Sequence, residues 1–344
     1  GPGIYVSTRA NPTVFKNVVR DGDSAGCFVC NAGLGDFRSN TVSGNAGAGW
    51  EIESDADPTV CENHIAAGKG CGVLVHKAGR GTLTLNEVVG SADAGIRVCT
   101  RGNPVVQRNR VVDGASHGVH VTDSGGGAFD GNTLKGNQGD AVRIDTQGAP
   151  ILKDNDIETD APRCACVRVC DGGLGLLEVN RMQALPGSEA CVILESAGNP
   201  VIKGNVISNS PACGVVSHKG GAGELRGNTI CDNGEHGVLM EAGCTTQLLS
   251  NRILRNVVHG VCLVGEETKP LLQSNTIKFN KQNGVDVSLG ARPLLERNAI
   301  RENQQYGIHA HDAAFGAYTK NELSGNVKAG VCIGSLSNPT LKNN

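Results

Sequence analysis

Gly95–His117 reads GIRVCTRGNPVVQRNRVVDGASH, and the next 23 residues, Gly118–Asp140, read GVHVTDSGGGAFDGNTLKGNQGD. Laid one over the other, Val98 falls on Val121, Val106 on Phe129, Asn109 on Asn132 and Val111 on Leu134. The register extends both ways. Asparagine recurs at Asn17, Asn40, Asn63, Asn86, Asn109, Asn132 and Asn155 with a spacing of 23. It continues at Asn180, Asn205, Asn228, Asn251, Asn275, Asn298, Asn321 and Asn344 with slips of one or two residues. Two residues after each Asn up to Asn321 sits an aliphatic, from Val19 and Val42 to Ile300 and Leu323. A period this short and this faithful means stacked supersecondary units sharing one core.

Each repeat alternates apolar and polar residues over short runs broken by Gly, Asn or Pro, which is strand chemistry with turns between. Three strands fit: a Gly-Val-x-Val tetrad such as Gly118-Val119-His120-Val121, a strand whose inward residue lies three before the Asn, and one just after it. Successive repeats then lie side by side in parallel. Asn tolerates left-handed backbone and bonds local peptide groups, so the Asn column is expected at a turn in that conformation, its amides stacked in a ladder. A second column stands at Asn233, Asn256, Asn280, Asn303 and Asn326. Over much of the chain, corners alternate between Pro (Pro58, Pro104, Pro150) and Gly (Gly81, Gly127, Gly175).

Composition narrows the classes. Gly is abundant (49) and aromatics are 3%, which disfavours a helical solenoid. A net charge of −3 leaves no basic excess for general nucleic-acid binding. No apolar run reaches membrane-spanning length. Among the 14 cysteines, Cys27, Cys191 and Cys231 take places that are small or aliphatic in neighbouring repeats, and Cys166 replaces the repeat Gly. Cysteines so placed are expected to be free and buried, and the chain intracellular. Gly1-Pro2 reads as a tag remnant and residues 3–344 as one repeat domain, a fragment of a longer chain whose open ends favour end-to-end self-association.

The phrases Gly102-Asn103-Pro104-Val105-Val106-Gln107-Arg108-Asn109-Arg110-Val111 and Gly198-Asn199-Pro200-Val201-Ile202-Lys203-Gly204-Asn205-Val206-Ile207 resemble right-handed parallel β-helix (pectin-lyase-like) repeats. They are most similar to those of F-box proteins that use such a domain for substrate recognition, and next to carbohydrate-binding and sugar-hydrolase repeats. With the right-handed preference of parallel crossovers, the expected fold is all-β: a single-stranded right-handed parallel β-helix of about fifteen coils. The resemblance implies recognition of a protein partner by the lateral face; the alternative is a carbohydrate-active lyase, epimerase, hydrolase or glycan binder.

Within the tetrads the x residue points outward. Arg97, His120, Arg143 and Arg168 form a cationic strip in that column, with Asp145 as a neighbouring acid. Like charges aligned across strands repel, so the strip suits an acidic or phosphorylated segment. The turns before Cys166 and Cys191 are each two residues longer than the norm and would form a lip beside it. Ile193, Val216, Leu239 and Cys262 continue the column as an apolar stripe, expected to meet a protein partner. The string Tyr306-Gly307-Ile308-His309-Ala310-His311-Asp312 is similar to the Tyr-Gly-x-Asp-Pro-His-Asp signature of β-helical alginate epimerases and lyases, where Tyr and His exchange the proton at the sugar C5. Here His309 stands for the Asp and Ala310 for the Pro. No cofactor and no metal are assigned: Cys27 and Cys30, three apart on a strand, face opposite sides, and Cys164, Cys166 and Cys170 lack a fourth ligand.

Overall fold

A computed structural model covers residues 1–344 and describes all of them except Ala67 and Ala242. The chain is all-β, with three parallel sheets forming a solenoid of about fifteen turns. Most turns contribute one strand of three to five residues to each sheet. Two compact units are distinguished, an N-terminal one (Gly1–Val167 with Gly173–Leu176) and a C-terminal one (Arg168–Gly172 with Leu177–Asn344).

In the N-terminal unit the pairing follows the 23-residue repeat: Val73 lies against Ile96, Leu83 against Val106 and Val88 against Val111. The C-terminal unit repeats the scheme with Val215 against Val238, Leu225 against Leu248 and Ile230 against Ile253. Alternation along each strand decides what is buried. In Val119–Val121 both valines face inward and His120 outward. The inward columns, represented by Ile96, Val98, Val106 and Val111, are essentially inaccessible, each side chain contributing about 1.5–3 kcal/mol of burial free energy. Where Trp50 replaces a column valine it is fully buried and meets Phe37 edge-on at 6.2 Å.

The Asn ladder forms as expected. Asn63 Nδ2 donates to Asn86 Oδ1 at 3.0 Å and to Phe37 O at 3.0 Å, and the Asn63 backbone N–H also donates to Asn86 Oδ1 at 2.9 Å. The second column forms likewise, Asn256 Nδ2 donating to Asn280 Oδ1 at 2.9 Å. One detail differs from the sequence expectation. The left-handed residue at this corner is the one before the Asn, as at Glu62 (φ 56°), Leu85 (57°), Arg108 (54°) and Val179 (59°). The Asn itself is free to turn its amide inward, where it satisfies the carbonyl left open by the turn.

Two glycine positions are dictated by space. In most tetrads that open with glycine, that glycine lies under the aliphatic of the third strand: a Cβ on Gly95 would stand 2.3 Å from Val111 Cγ1. At the alternating corner Gly127 has φ +109°, and a Cβ there would lie 2.8 Å from Pro104 O. The 14 cysteines form no disulfide, and ten of them are buried. Burial pushes the Cys27 and Cys262 thiols up to about 12.

Candidate functional site

The outward face of the first sheet gathers most of the chemistry-bearing side chains. In the N-terminal unit Arg97, His120 and Arg143 stand in register on adjacent strands, as the column predicts. Each has a carboxylate beside it. Arg97 is 3.5 Å from Asp93, His120 is 3.0 Å from Asp145, and Arg143 is 2.9 Å from Asp145 and 3.7 Å from Asp140. Burial alone would raise the Asp145 pKa, but hydrogen bonds from His120, Thr122 and Arg143 outweigh it and hold the carboxyl well below the usual range. Burial chiefly lowers the His117 pKa. A recess of about 310 Å³ opens beside this row, lined by Cys71, Leu74, His76, Asp93 and Arg97 among others.

In the C-terminal unit Arg168 bonds Glu189 and Glu195, each at 2.9 Å, so the longer turn before Cys191 supplies one of its acids. The apolar stripe requires correction. Ile193 is fully buried, Val216 and Cys262 are 9% and 7% accessible, and only Leu239 is appreciably open. Two residues further along the chain, just past the strand ends, stands a polar row. Glu195, His218 and Glu241 carry long or ringed side chains there, with His218 3.1 Å from Glu195 and 3.9 Å from Glu241.

The densest constellation lies farther along the C-terminal unit. His309 and His311 are two residues apart on the strand Tyr306–Ala310 and its exit, so they share a face. Asp286, on the strand Val285–Ser288, stands directly opposite His309. Its Oδ1 lies 3.3 Å from His309 Nδ1 and its Oδ2 3.2 Å from His311 Nε2. Asp312 takes the other side of His311, 2.8 Å from Nδ1. Asn283 donates through Nδ2 to Asp286 Oδ1 at 2.8 Å and accepts the Tyr306 backbone N–H at 3.1 Å. The Tyr306 ring lies 5.0 Å from His309, and Lys328 Nζ sits 5.0 Å over that ring.

Behind this group His259 and His236 stack at 5.1 Å. Burial dominates their titration, taking His259 down to about 4 and lowering His236. His311 goes the other way: burial opposes its charged form, but Asp312 and Asp286 outweigh it and raise its pKa. The string Tyr306–Asp312 is visible in the sequence, whereas Asp286, Asn283 and Lys328 come from neighbouring coils. Their signal is the repeat itself, which places residue 286 one period before residue 309. A separate recess of about 440 Å³ on the third sheet is lined by Lys278, Arg301 and Glu302 and contains none of these groups.

Comparison with known proteins agrees with this architecture. The sequence profile described as "Right handed beta helix region" matches residues 2–157, 141–299 and 190–344. Among solved structures, the A-module of the mannuronan C-5 epimerase AlgE6 of Azotobacter vinelandii is similar with a TM-score of 0.54 and 17% identity, over 95% of this chain and 91% of that one. The periplasmic alginate epimerase AlgG gives 0.44 and 12% over 99% and 78%. PfbA, a surface adhesin of Streptococcus pneumoniae, gives 0.35 and 10% over 92% and 82%. Curated protein sequences give no match. At these identities the likeness to solved structures is one of fold. With its repeats, its three parallel sheets and a profile match spanning nearly its whole length, the chain belongs to the right-handed β-helix region family.

Proposed function

We propose that the chain binds a linear acidic polysaccharide on the outward face of the first sheet in its C-terminal unit, and exchanges a proton at the carbon next to a uronate carboxylate. The observation that carries this reading is the convergence of the partly accessible His309 and His311 imidazoles on Asp286, with the Tyr306 ring 5.0 Å from His309. A phenol and an imidazole side by side are the groups such a reaction needs. One removes the C5 proton. The other returns a proton to the opposite face, which epimerises the sugar, or protonates the departing O4 as the C4–O4 bond breaks, which is elimination. Positioned groups of this kind contribute about 10²–10⁴-fold each. Asp286 and Asn283 hold the imidazoles in place.

Two further considerations support it. The A-module of the mannuronan C-5 epimerase AlgE6 shares the fold. The rival reading, a protein-recognition face along Arg97, His120, Arg143, Asp145, Arg168, Ile193, Val216 and Leu239, draws less support. Its cations already have acids beside them, and most of its apolar members are covered.

Uronate polymers incubated in D₂O should gain deuterium at C5 or develop the ultraviolet absorbance of an unsaturated end. Tyr306→Phe should then lower turnover by about 100-fold or more. A panel of uronate polymers with neither signal, or full activity in both Tyr306→Phe and His309→Ala, would overturn the proposal.

A further inference from the structure

We propose that Asp286, His309 and His311 form a binding site for a divalent transition-metal ion, with zinc as the fitting example. The inference goes beyond the polysaccharide reading and stands on donor geometry alone: an ion bound there occupies the His309 and His311 lone pairs, so proton exchange by these imidazoles belongs to the metal-free protein. One ligand-type atom from each residue lies within 4.8 Å of the other two. The carboxylate oxygens are 3.3 Å from His309 Nδ1 and 3.2 Å from His311 Nε2. Zinc bonds nitrogen and oxygen at about 2.0–2.1 Å, and the edge of a tetrahedron with such bonds is roughly 3.3 Å. Each imidazole nitrogen stands at that separation from one Asp286 oxygen, Oδ1 for His309 and Oδ2 for His311, and with one ligand atom from each residue within 4.8 Å of the others a small closure brings the three onto one ion.

The hydrogen bonding around His311 calls for a cation. This imidazole lies between two carboxylates, Asp312 on Nδ1 at 2.8 Å and Asp286 on Nε2 at 3.2 Å. A neutral ring has one N–H, so one nitrogen lone pair must face a carboxylate unless a second positive centre stands between them. A proton is one such centre. A metal on Nε2, with Nδ1–H donating to Asp312, is the other, and this is the carboxylate–histidine–metal arrangement that fixes the tautomer and strengthens the ligand. Asn283 gives Asp286 a matching positioning bond through Nδ2 at 2.8 Å.

The same logic limits the set to three protein ligands. His259 Nε2 is 3.9 Å from Asp286, but His259 Nδ1 accepts the Asn283 backbone N–H at 3.1 Å. The neutral His259 ring therefore carries its proton on Nε2 and has no lone pair to offer there. Three ligands leave a position open toward solvent, where the two ligand imidazoles are 26% and 27% accessible. Two imidazoles favour zinc, cobalt, nickel or ferrous iron over magnesium and calcium, which take oxygen donors. The cluster of Glu51, Glu53 and His76 in the N-terminal unit is a poorer candidate, because the neighbouring Lys77 Nζ occupies Glu53 Oε2 at 2.5 Å.

The test reads metal binding without any polymer, so its outcome is separate from that of the polysaccharide proposal. Chelator-treated protein titrated calorimetrically with zinc should take up one ion per chain, undisturbed by millimolar magnesium or calcium. His309→Ala, His311→Ala and Asp286→Asn should each weaken binding at least tenfold. Asp312→Asn, a change beyond the ligands, should weaken it about 10–100-fold, while His236→Asn should leave it unchanged. Cobalt in place of zinc should show the intense visible bands of a four-coordinate ion, lost in His311→Ala. No zinc uptake, uptake that survives in the His309→Ala/His311→Ala double variant, or a cobalt spectrum dominated by a thiolate charge-transfer band would overturn the site. Circular dichroism of each variant separates ligand loss from misfolding, and Asp312→Asn provides a probe on an exposed side chain.

Discussion

Asp145 sits between two basic side chains of the N-terminal unit, and its environment sets a pH dependence. Its carboxylate bonds His120 at 3.0 Å and Arg143 at 2.9 Å, with Asp140 and His117 on the same face. Its folded pKa is depressed, so the stability it contributes is fully present above the unfolded value of about 3.9 and is lost as pH falls through the folded value. Thermal melts of the wild type should therefore lose stability progressively on acidification below about pH 4, and Asp145→Asn should flatten that part of the profile while lowering the neutral-pH melting temperature. The strip itself was legible in the sequence, since a fixed period names the side chains of one column. Its compensation was legible only in part: Asp145 lies two residues along the strand, whereas Asp93 and Asp140 reach in from the preceding turns, whose geometry the pattern does not specify.

At the level of the coil, the decisive contact joins the opening glycine of the first strand to the aliphatic of the third. Gly95 leaves no room for a methyl beneath Val111. Gly95→Ala should destabilise by roughly 1–3 kcal/mol through overpacking. Adding Val111→Ala should recover part of that loss, so the double-mutant cycle measured by denaturant unfolding should show a coupling of opposite sign to the single effects. Additive losses would show that strand entry, not this contact, demands the glycine. The sequence exposes this requirement as a glycine column but not the corner conformation. The left-handed residue before the Asn has no single signature, being Glu62, Leu85, Arg108 or Val179 in some coils and Gly131, Gly204 or Gly227 in others. Asp286 is a different case: the period puts it in the outward column one repeat before His309, but does not show it touching both imidazoles. Reading along Tyr306–Asp312 finds the residues of one strand, while the partner that unites them lies across the sheet.

Over each unit as a whole, stability is the sum of many near-identical neighbour contacts, and the Asn ladder adds a term that is not local. In the N-terminal unit every amide from Asn17 to Asn132 donates to the Asn one repeat later, at 2.9–3.2 Å. From Asn180 to Asn344 the C-terminal unit does the same at 2.8–3.1 Å. All these amides point the same way, so each row is a head-to-tail chain of dipoles. Each bond polarises the next, and the strengthening accumulates toward the middle of the row. Replacing one member therefore divides a conducting line of polarisation as well as deleting its own bonds. Asn132→Ala, which strands the Asn109 N–H and the Val106 carbonyl, should cost about 3 kcal/mol. Asn17→Ala, at the head of the row, should cost clearly less. The ladder amide protons should resonate progressively downfield from the ends of each row to its centre, and Asn132→Ala should pull the shifts of Asn86 and Asn63, two and three coils away, back toward those of the ends.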